Sequence, residues 1–195
     1  MRFRSAVSTQ YVQARYRWFV LLLLGLLVAI VAVAKPFYVK QAQSYLQNGV
    51  YYLDAEFELP LAVAPTLALQ SGVPLQLSLQ MEIIRQRSWW VDETTAALEQ
   101  RYRLEYHELS RRYLLSNLNT GVKRSFFSLN SALAQVGTLH TFPLLDAVLL
   151  RKPGHYRGRI KVVLDHSTLP LPLLSQAYFS SSWQLDSEWY SWSLK

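Results

Sequence analysis

From Leu75 to Ile83 every second residue is apolar: Leu75, Leu77, Leu79, Met81 and Ile83 alternate with Gln76, Ser78, Gln80 and Glu82. A period of two sends successive side chains to opposite faces, so this stretch predicts a long strand with one buried face. Residues 49 to 58 are rich in aromatic and β-branched residues, and from Asp54 they too alternate strictly. Asp54, Glu56 and Glu58 share one face of that predicted strand, Ala55, Phe57 and Leu59 the other, and Pro60 ends it. Gln41 to Asn48, just before it, reads as a polar connection. Between the two strands a short helix is predicted, with Pro65 at its first position, Leu67, Ala68 and Leu69 inside and Gly72 as its stop.

Residues 92 to 115 fit two periods. Leu98, Tyr102, Tyr106, Leu109 and Tyr113 fall at helical spacing, while Leu98, Tyr102, Leu104 and Tyr106 set against Glu99, Arg101, Arg103, Glu105 and His107 fit a strand. The aromatic content and the turn signal at Asn117-Leu-Asn-Thr-Gly121 favour strand, with 113 to 118 and 122 to 127 as hairpin arms. Ser128 is placed to cap a second short helix whose Leu129, Ala132, Leu133 and Val136 form one face and whose Gly137 ends it. Lys152-Pro-Gly-His155 has the composition of a type II turn, expected to join 144 to 151 with 156 to 165 as a hairpin. In its second arm Tyr156, Ile160, Val162 and Leu164 face inward, and Arg157, Arg159 and Lys161 face outward. Leu169 to Leu173, with prolines at 170 and 172, reads as a crossing segment. Apolar parity then switches around Asp186 to Glu188, between Trp183 to Leu185 and Trp189 to Leu194, which predicts a bulge or bend. The fold class that results is α+β, mainly antiparallel β, a sandwich-like sheet with two short helices.

Ahead of this lies a different pattern. Residues 18 to 34 are an uninterrupted apolar run without charge, about 25 Å long as a helix, near the lower limit for crossing a bilayer core. Arg2, Arg4, Arg15 and Arg17 precede it and only Lys35 and Lys40 closely follow, an asymmetry that leaves the N-terminus in the cytoplasm and exports the rest. Two fates fit the run. Ala32-Val33-Ala34 has the small-x-small form of a signal-peptidase site, whereas the long arginine-bearing leader and the interfacial pair Trp18-Phe19 fit a retained anchor. The expected organisation is a basic leader (1–17), an anchor or signal helix (18–34), a linker (35–48) and an exported β-rich domain (49–195).

Composition narrows the function. The net charge is +7, but the leader holds four of the 20 Lys and Arg and none of the 13 Asp and Glu, so 35 to 195 carries 16 minus 13, or +3. That is far from the basic excess of nucleic-acid binders. No cysteine is present, which excludes a disulfide framework and thiolate chemistry. His107, His140, His155 and His166 are isolated, with no spacing suited to a metal. Asp165-His166-Ser167 cannot act as a hydrogen-bonded series on a strand, because neighbours point to opposite faces. No Gly-x-Ser-x-Gly elbow and no phosphate-binding glycine loop occurs. No catalytic, metal or cofactor residue is therefore expected.

Two surfaces remain. The acidic face Asp54, Glu56 and Glu58 has carboxylates at about 6.7 Å steps, suited to a hard cation or to paired acid and base work, though a solvated strand face looks the same. The basic stripe Arg157, Arg159 and Lys161, with Arg151 across the expected hairpin, suits an anionic headgroup or acidic partner. Trp89 and Trp90 occupy adjacent strand positions, so only one of them can face inward. The candidate partner surface is thus Trp89, Trp90, Arg151, Arg157, Arg159 and Lys161.

The elements Ala-Leu-x-x-Gly-Val-Pro-Leu at 68 to 75, Trp89-Trp90, Leu104-x-Tyr106-His107-x-Leu109-x-x-x-Tyr113, Ser125-Phe126 with Leu129 and Ala132-Leu133, Tyr156, and Leu164-Asp165 with Leu169-Pro170 together resemble the bacterial envelope proteins grouped as domain of unknown function 4390. The similarity covers roughly 45 to 194. It implies an exported domain of no established biochemical role, often encoded beside a membrane sensor kinase, and it supplies no catalytic residue. The leader here is longer than the plain signal peptide that the resemblance implies. The expectation is a single-pass protein of the bacterial inner membrane with its C-terminal domain in the periplasm, or one released there after cleavage following Ala34. Its expected role is interaction with an envelope protein such as a sensor kinase, without nucleic acid or cofactor. The alternative is a periplasmic module that binds glycan or lipid, or a weakly marked hydrolase.

Overall fold

The computed structural model describes residues 37–87, 92–150 and 154–194. In chain order these form β1 (Tyr38–Gln47), β2 (Val50–Glu58), α1 (Val63–Gln70), β3 (Leu75–Gln86), β4 (Glu93–His107), β5 (Arg112–Asn117) and β6 (Lys123–Phe126). They continue as α2 (Leu129–Val136), β7 (Thr138–Asp146), a 3₁₀ turn (Ala147–Leu149), β8 (His155–Asp165), α3 (Leu171–Phe179) and β9 (Tyr190–Ser193). The architecture is α+β, with two sheets ordered β1-β2-β7 and β6-β5-β4-β3-β8-β9. Every strand pair is antiparallel. The leader and the apolar run lie outside the described residues. Among the described residues no helix is long and apolar enough to cross a membrane.

The period-two stretch organises the larger sheet. β3 lies between β4 and β8, and its Leu75, Leu77, Leu79, Met81 and Ile83 are all fully buried. Each such side chain contributes about 1.5–3 kcal/mol by leaving water. From the smaller sheet Ala42, Leu53, Ala55 and Phe57 join the same core, as do Ala68 and Leu69 of α1, Ala132, Leu133 and Val136 of α2 and Ala177 of α3. The strand alternative for 92 to 115 is the one realised: β4 runs the full length of β3 and turns at 108–111 into β5. β4 buries Leu104 in the core with Leu98, Tyr102 and Tyr106 packed against it, so its aromatic face is a sheet face.

Four expectations are corrected. Residues 41 to 47 form most of β1 instead of a connection, paired along β2 from Tyr38↔Glu58 to Gln47↔Val50, which moves the start of the folded domain from 49 to at least Tyr38. No period-two pattern marked this strand, because its inward positions are filled by the small Ala42 and by Ser44, and a bulge breaks its register between Val39 and Gln41. Pro65 sits two residues inside α1, whose buried positions are Pro65, Ala68 and Leu69; Leu67 falls on the opposite side and is exposed. The segments around 152–155 do not form a hairpin: β7 pairs with β2 in the smaller sheet, whereas β8 pairs with β3 and β9 in the larger. A Pro-Gly signal fixes a change of direction, not the pairing of what it joins. Finally, the proline-bearing segment opens a third helix, α3, in which Leu173 N–H and Leu174 N–H donate to the Pro170 carbonyl at 2.9 and 3.0 Å. Proline is tolerated in a first helical turn, where its missing N–H has no partner to lose.

The two sheets are pinned along one edge. Trp192 of β9 donates its indole N–H to Ser44 Oγ of β1 at 2.9 Å and is buried. Its ring lies against Gly158, its register partner on β8, where a Cβ would stand 2.3 Å from the indole carbon Cζ2. Gly158 is therefore a matter of close approach, not of backbone conformation. The expected bulge is also present: Val163 opposes Asp186 while Ile160 opposes Tyr190, so three steps of β8 face four of the closing segment.

Candidate interaction surface

The inward registers of β3, β4 and β8 leave a second face of the larger sheet, opposite the core. Arg101 and Arg103 of β4, Arg112 of β5, Lys123 of β6 and Arg157, Arg159 and Lys161 of β8 occupy outward positions there, as do Glu82, Glu99, Glu105, Asp165 and, opposite Val163, Asp186. All three helices direct their buried residues into the core on the other side.

On this face the predicted stripe is present and partly neutralised. Arg159 lies directly across from Glu82 and donates to its Oε2 from Nε at 2.8 Å and Nη2 at 2.5 Å. The same guanidinium stacks on Trp189, 4.4 Å from the ring centroid, and the Lys161 ammonium lies 5.1 Å from that centroid. Trp189 faces outward because the extra residue of the bulge reverses parity between the buried Leu185 and Ser187 and the buried Trp192. Arg157 is exposed and lies opposite Ile84 of β3 and Ser193 of β9. The sequence held a signal for this cluster in the parity switch, but neither tryptophan count nor spacing tied Trp189 to the basic stripe. Trp89, Trp90 and Arg151, the other half of the predicted surface, lie outside the described residues. Of the described tryptophans, Trp183 and Trp192 are buried in the core.

The acidic face is real as a face but not as a cluster. Asp54, Glu56 and Glu58 alternate with the buried Leu53, Ala55 and Phe57. Asp54 Oδ1 accepts the Thr141 backbone N–H at 2.7 Å, bridging a bulge in which Thr141 has φ +52°. Glu58 pairs with Lys40, and this hydrogen bond raises the ammonium above its ordinary range. Glu56 remains, and it lines a cleft of about 420 Å³ with Lys40, Glu58, Asn130, Gly137 and Thr138, between β2 and α2. A second cleft, about 240 Å³, opens beyond Thr138 against Tyr102, Asn117, Arg124 and Gln135. Arg124 Nη1 donates to Gln135 Oε1 there at 2.8 Å, and burial raises the Tyr102 phenol above its ordinary range. Among the described residues no three of His, Asp and Glu are placed to share a metal ion. His166 is engaged with the Trp183 carbonyl at 2.6 Å, and Asp165 with Gln76 and the Ser167 N–H, so these neighbours form no triad.

The fold and this surface define a two-sheet α+β domain with an open, mixed-charge sheet face. The chain belongs to the family described as Domain of unknown function (DUF4390), whose model matches residues 34–193. No curated protein and no solved structure matches it.

Proposed function

We propose that the chain is a membrane-anchored interaction module of the bacterial periplasm, and that it presents the open face of its larger sheet to another envelope protein. The observation that carries this reading is the Trp189 indole held against Arg159 and Lys161 on that face. Tryptophan and arginine are the residues that most often dominate the energy of protein contacts, and a desolvated cation over an indole gains about 2 kcal/mol. Across the face, seven cationic positions against five carboxylates favour a partner with an acidic patch. The membrane sensor kinase implied by the family resemblance is the first partner to test.

The test places a photocrosslinking residue at Arg157 in the full chain in its native membranes, with a control at Gln43 on the smaller sheet. One dominant adduct from 157 that vanishes on Trp189→Ala with Lys161→Glu supports the reading. Equal adducts from both positions, or none from 157, overturn it.

A ligand-binding role is favoured by one feature only, the Glu56 carboxylate in the larger cleft. Under that reading Glu56→Ala abolishes binding of a glycan or lipid fragment without moving the melting temperature, while Asp54→Ala, which frees the Thr141 N–H, lowers stability.

A further inference from the structure

Register places the ends of the elements together. Tyr38 opens β1 opposite Glu58, the last residue of β2; α1 then leads to Leu75, the first residue of β3, which is level with Leu104 of β4 and, one residue on, with Asp165 of β8. The β4–β5 turn, the β6–α2 junction and α3, which follows Asp165, belong to the same end. Three of the connections at this end, 59 to 74, 127 to 137 and 166 to 185, contain no Asp, Glu, Lys or Arg, while the β4–β5 turn carries Glu108 and Arg111. Besides these, the Lys40–Glu58 pair lies at this end, and many of the domain's other charges lie on the open sheet face.

This end also carries exposed apolar side chains that contribute little to the core. Phe179 is 92% exposed, Leu171 80%, Phe127 79% and Val63 75%, with Leu67 and Tyr178 also exposed. They come from both α1 and α3 and from the β6–α2 junction, so no single local irregularity explains them. Arg112, whose guanidinium lies 3.8 Å from the Phe127 ring centroid, supplies a cation beside this apolar surface. Aromatic and aliphatic side chains rimmed by arginine are the composition of a surface that lies in a bilayer interface.

The apolar run points to a bilayer as the occupant. The apolar run ends at Ala34, and three Cα steps, at most about 11 Å, separate Ala34 from Phe37. Tyr38 begins β1 at this same end. We infer that this end of the domain rests on the bilayer, with Leu67, Leu171, Tyr178 and Phe179 entering the headgroup and upper acyl region. The inference rests on the anchored reading proposed above. The far end, marked by Val50 and Asp146, stands about 26 Å away along the nine-residue β2. It holds the equally exposed Val148, 91% accessible, as an internal control.

Because the chain contains no cysteine, single labels are unambiguous. Leu67→Cys, Leu171→Cys, Phe179→Cys and Val148→Cys are each made in the full chain, labelled with an environment-sensitive fluorophore and reconstituted in phosphatidylcholine–phosphatidylglycerol vesicles containing lipids spin-labelled at a shallow or deep acyl carbon. The expected result is a blue shift and quenching at 67, 171 and 179, stronger with the shallow quencher, and no change at 148. Leu171→Glu with Phe179→Glu should reduce quenching of the label at 67. If the chain stays with the vesicles after alkaline extraction but 67, 171 and 179 are no more quenched than 148, the inference falls and the anchor stands. If the chain leaves the vesicles, anchor and inference fall together. Excimers between pyrene labels at 179 without lipid quenching overturn it in favour of a second copy covering this end.

Discussion

Substituting Gly158 by alanine tests the packing that joins the two sheets. In a strand the change alone would favour the folded state by about 0.4–1 kcal/mol through the unfolded chain. Against this, the new methyl would stand 2.3–2.4 Å from Cζ2 and Cε2 of Trp192, a rigid ring fixed by burial and by its bond to Ser44. Overpacking of this kind costs about 1–3 kcal/mol, and displacement of the indole also forfeits a hydrogen bond of about 1 kcal/mol. The net expectation is destabilisation by about 2–3 kcal/mol, or a fall of about 4–12 °C in melting temperature for a domain of this size. The assay is a thermal melt followed by near-ultraviolet circular dichroism, which also reports the tryptophan environment. The decisive comparison is the cycle with Trp192→Ala: there Gly158→Ala should be neutral or mildly stabilising, because the clash has no second partner. A Gly158→Ala protein that melts with the wild type, or a cost that persists without the indole, refutes the reasoning.

Other perturbations follow from burial and hydrogen bonding. Leu79→Ala, in the centre of β3, should cost about 2–5 kcal/mol in chemical denaturation, whereas Leu109→Ala, fully exposed in the β4–β5 turn, should cost almost nothing. Ser128 Oγ accepts the Ser131 N–H at 3.1 Å at the start of α2, so Ser128→Ala should lose about 1 kcal/mol and Ser128→Asp should recover most of it. Burial raises the Tyr102 phenol above its ordinary value, so the unfolded chain ionises first. Its contribution is complete below that value and is lost as pH climbs through the higher folded pKa, and Tyr102→Phe should flatten the alkaline decline in stability.

What could be seen beforehand depended on how strictly a segment obeyed one period. β3 and β8 alternate without interruption, so their faces were evident down to Arg157, Arg159 and Lys161. β4 satisfied two periods at once, and only its partners β3 and β5 select between them. β1 had no apolar rhythm at all, since Ala42 and Ser44 fill the inward positions and Ser44 is matched by an indole 148 residues away. α3 was obscured by prolines that break helix interiors but suit helix beginnings. At the candidate surface, the cations were readable from strand parity, while the tryptophan they contact depended on a one-residue bulge. The pairing of the acidic triplet was invisible for the same reason: Lys40 belongs to a strand that no pattern announced.

The smaller sheet has a further consequence for how the molecule is made. Its first two strands are contiguous, but the third, β7, pairs Ala55 with Leu139, and the intervening chain builds most of the larger sheet. Such high contact order makes closure of the sheet slow and late, since a long loop must be paid for before the last strand rewards it. A chain delivered from its N-terminus thus exposes an unfinished hairpin until residue 146 has emerged, and premature termination anywhere before that point leaves an open sheet edge.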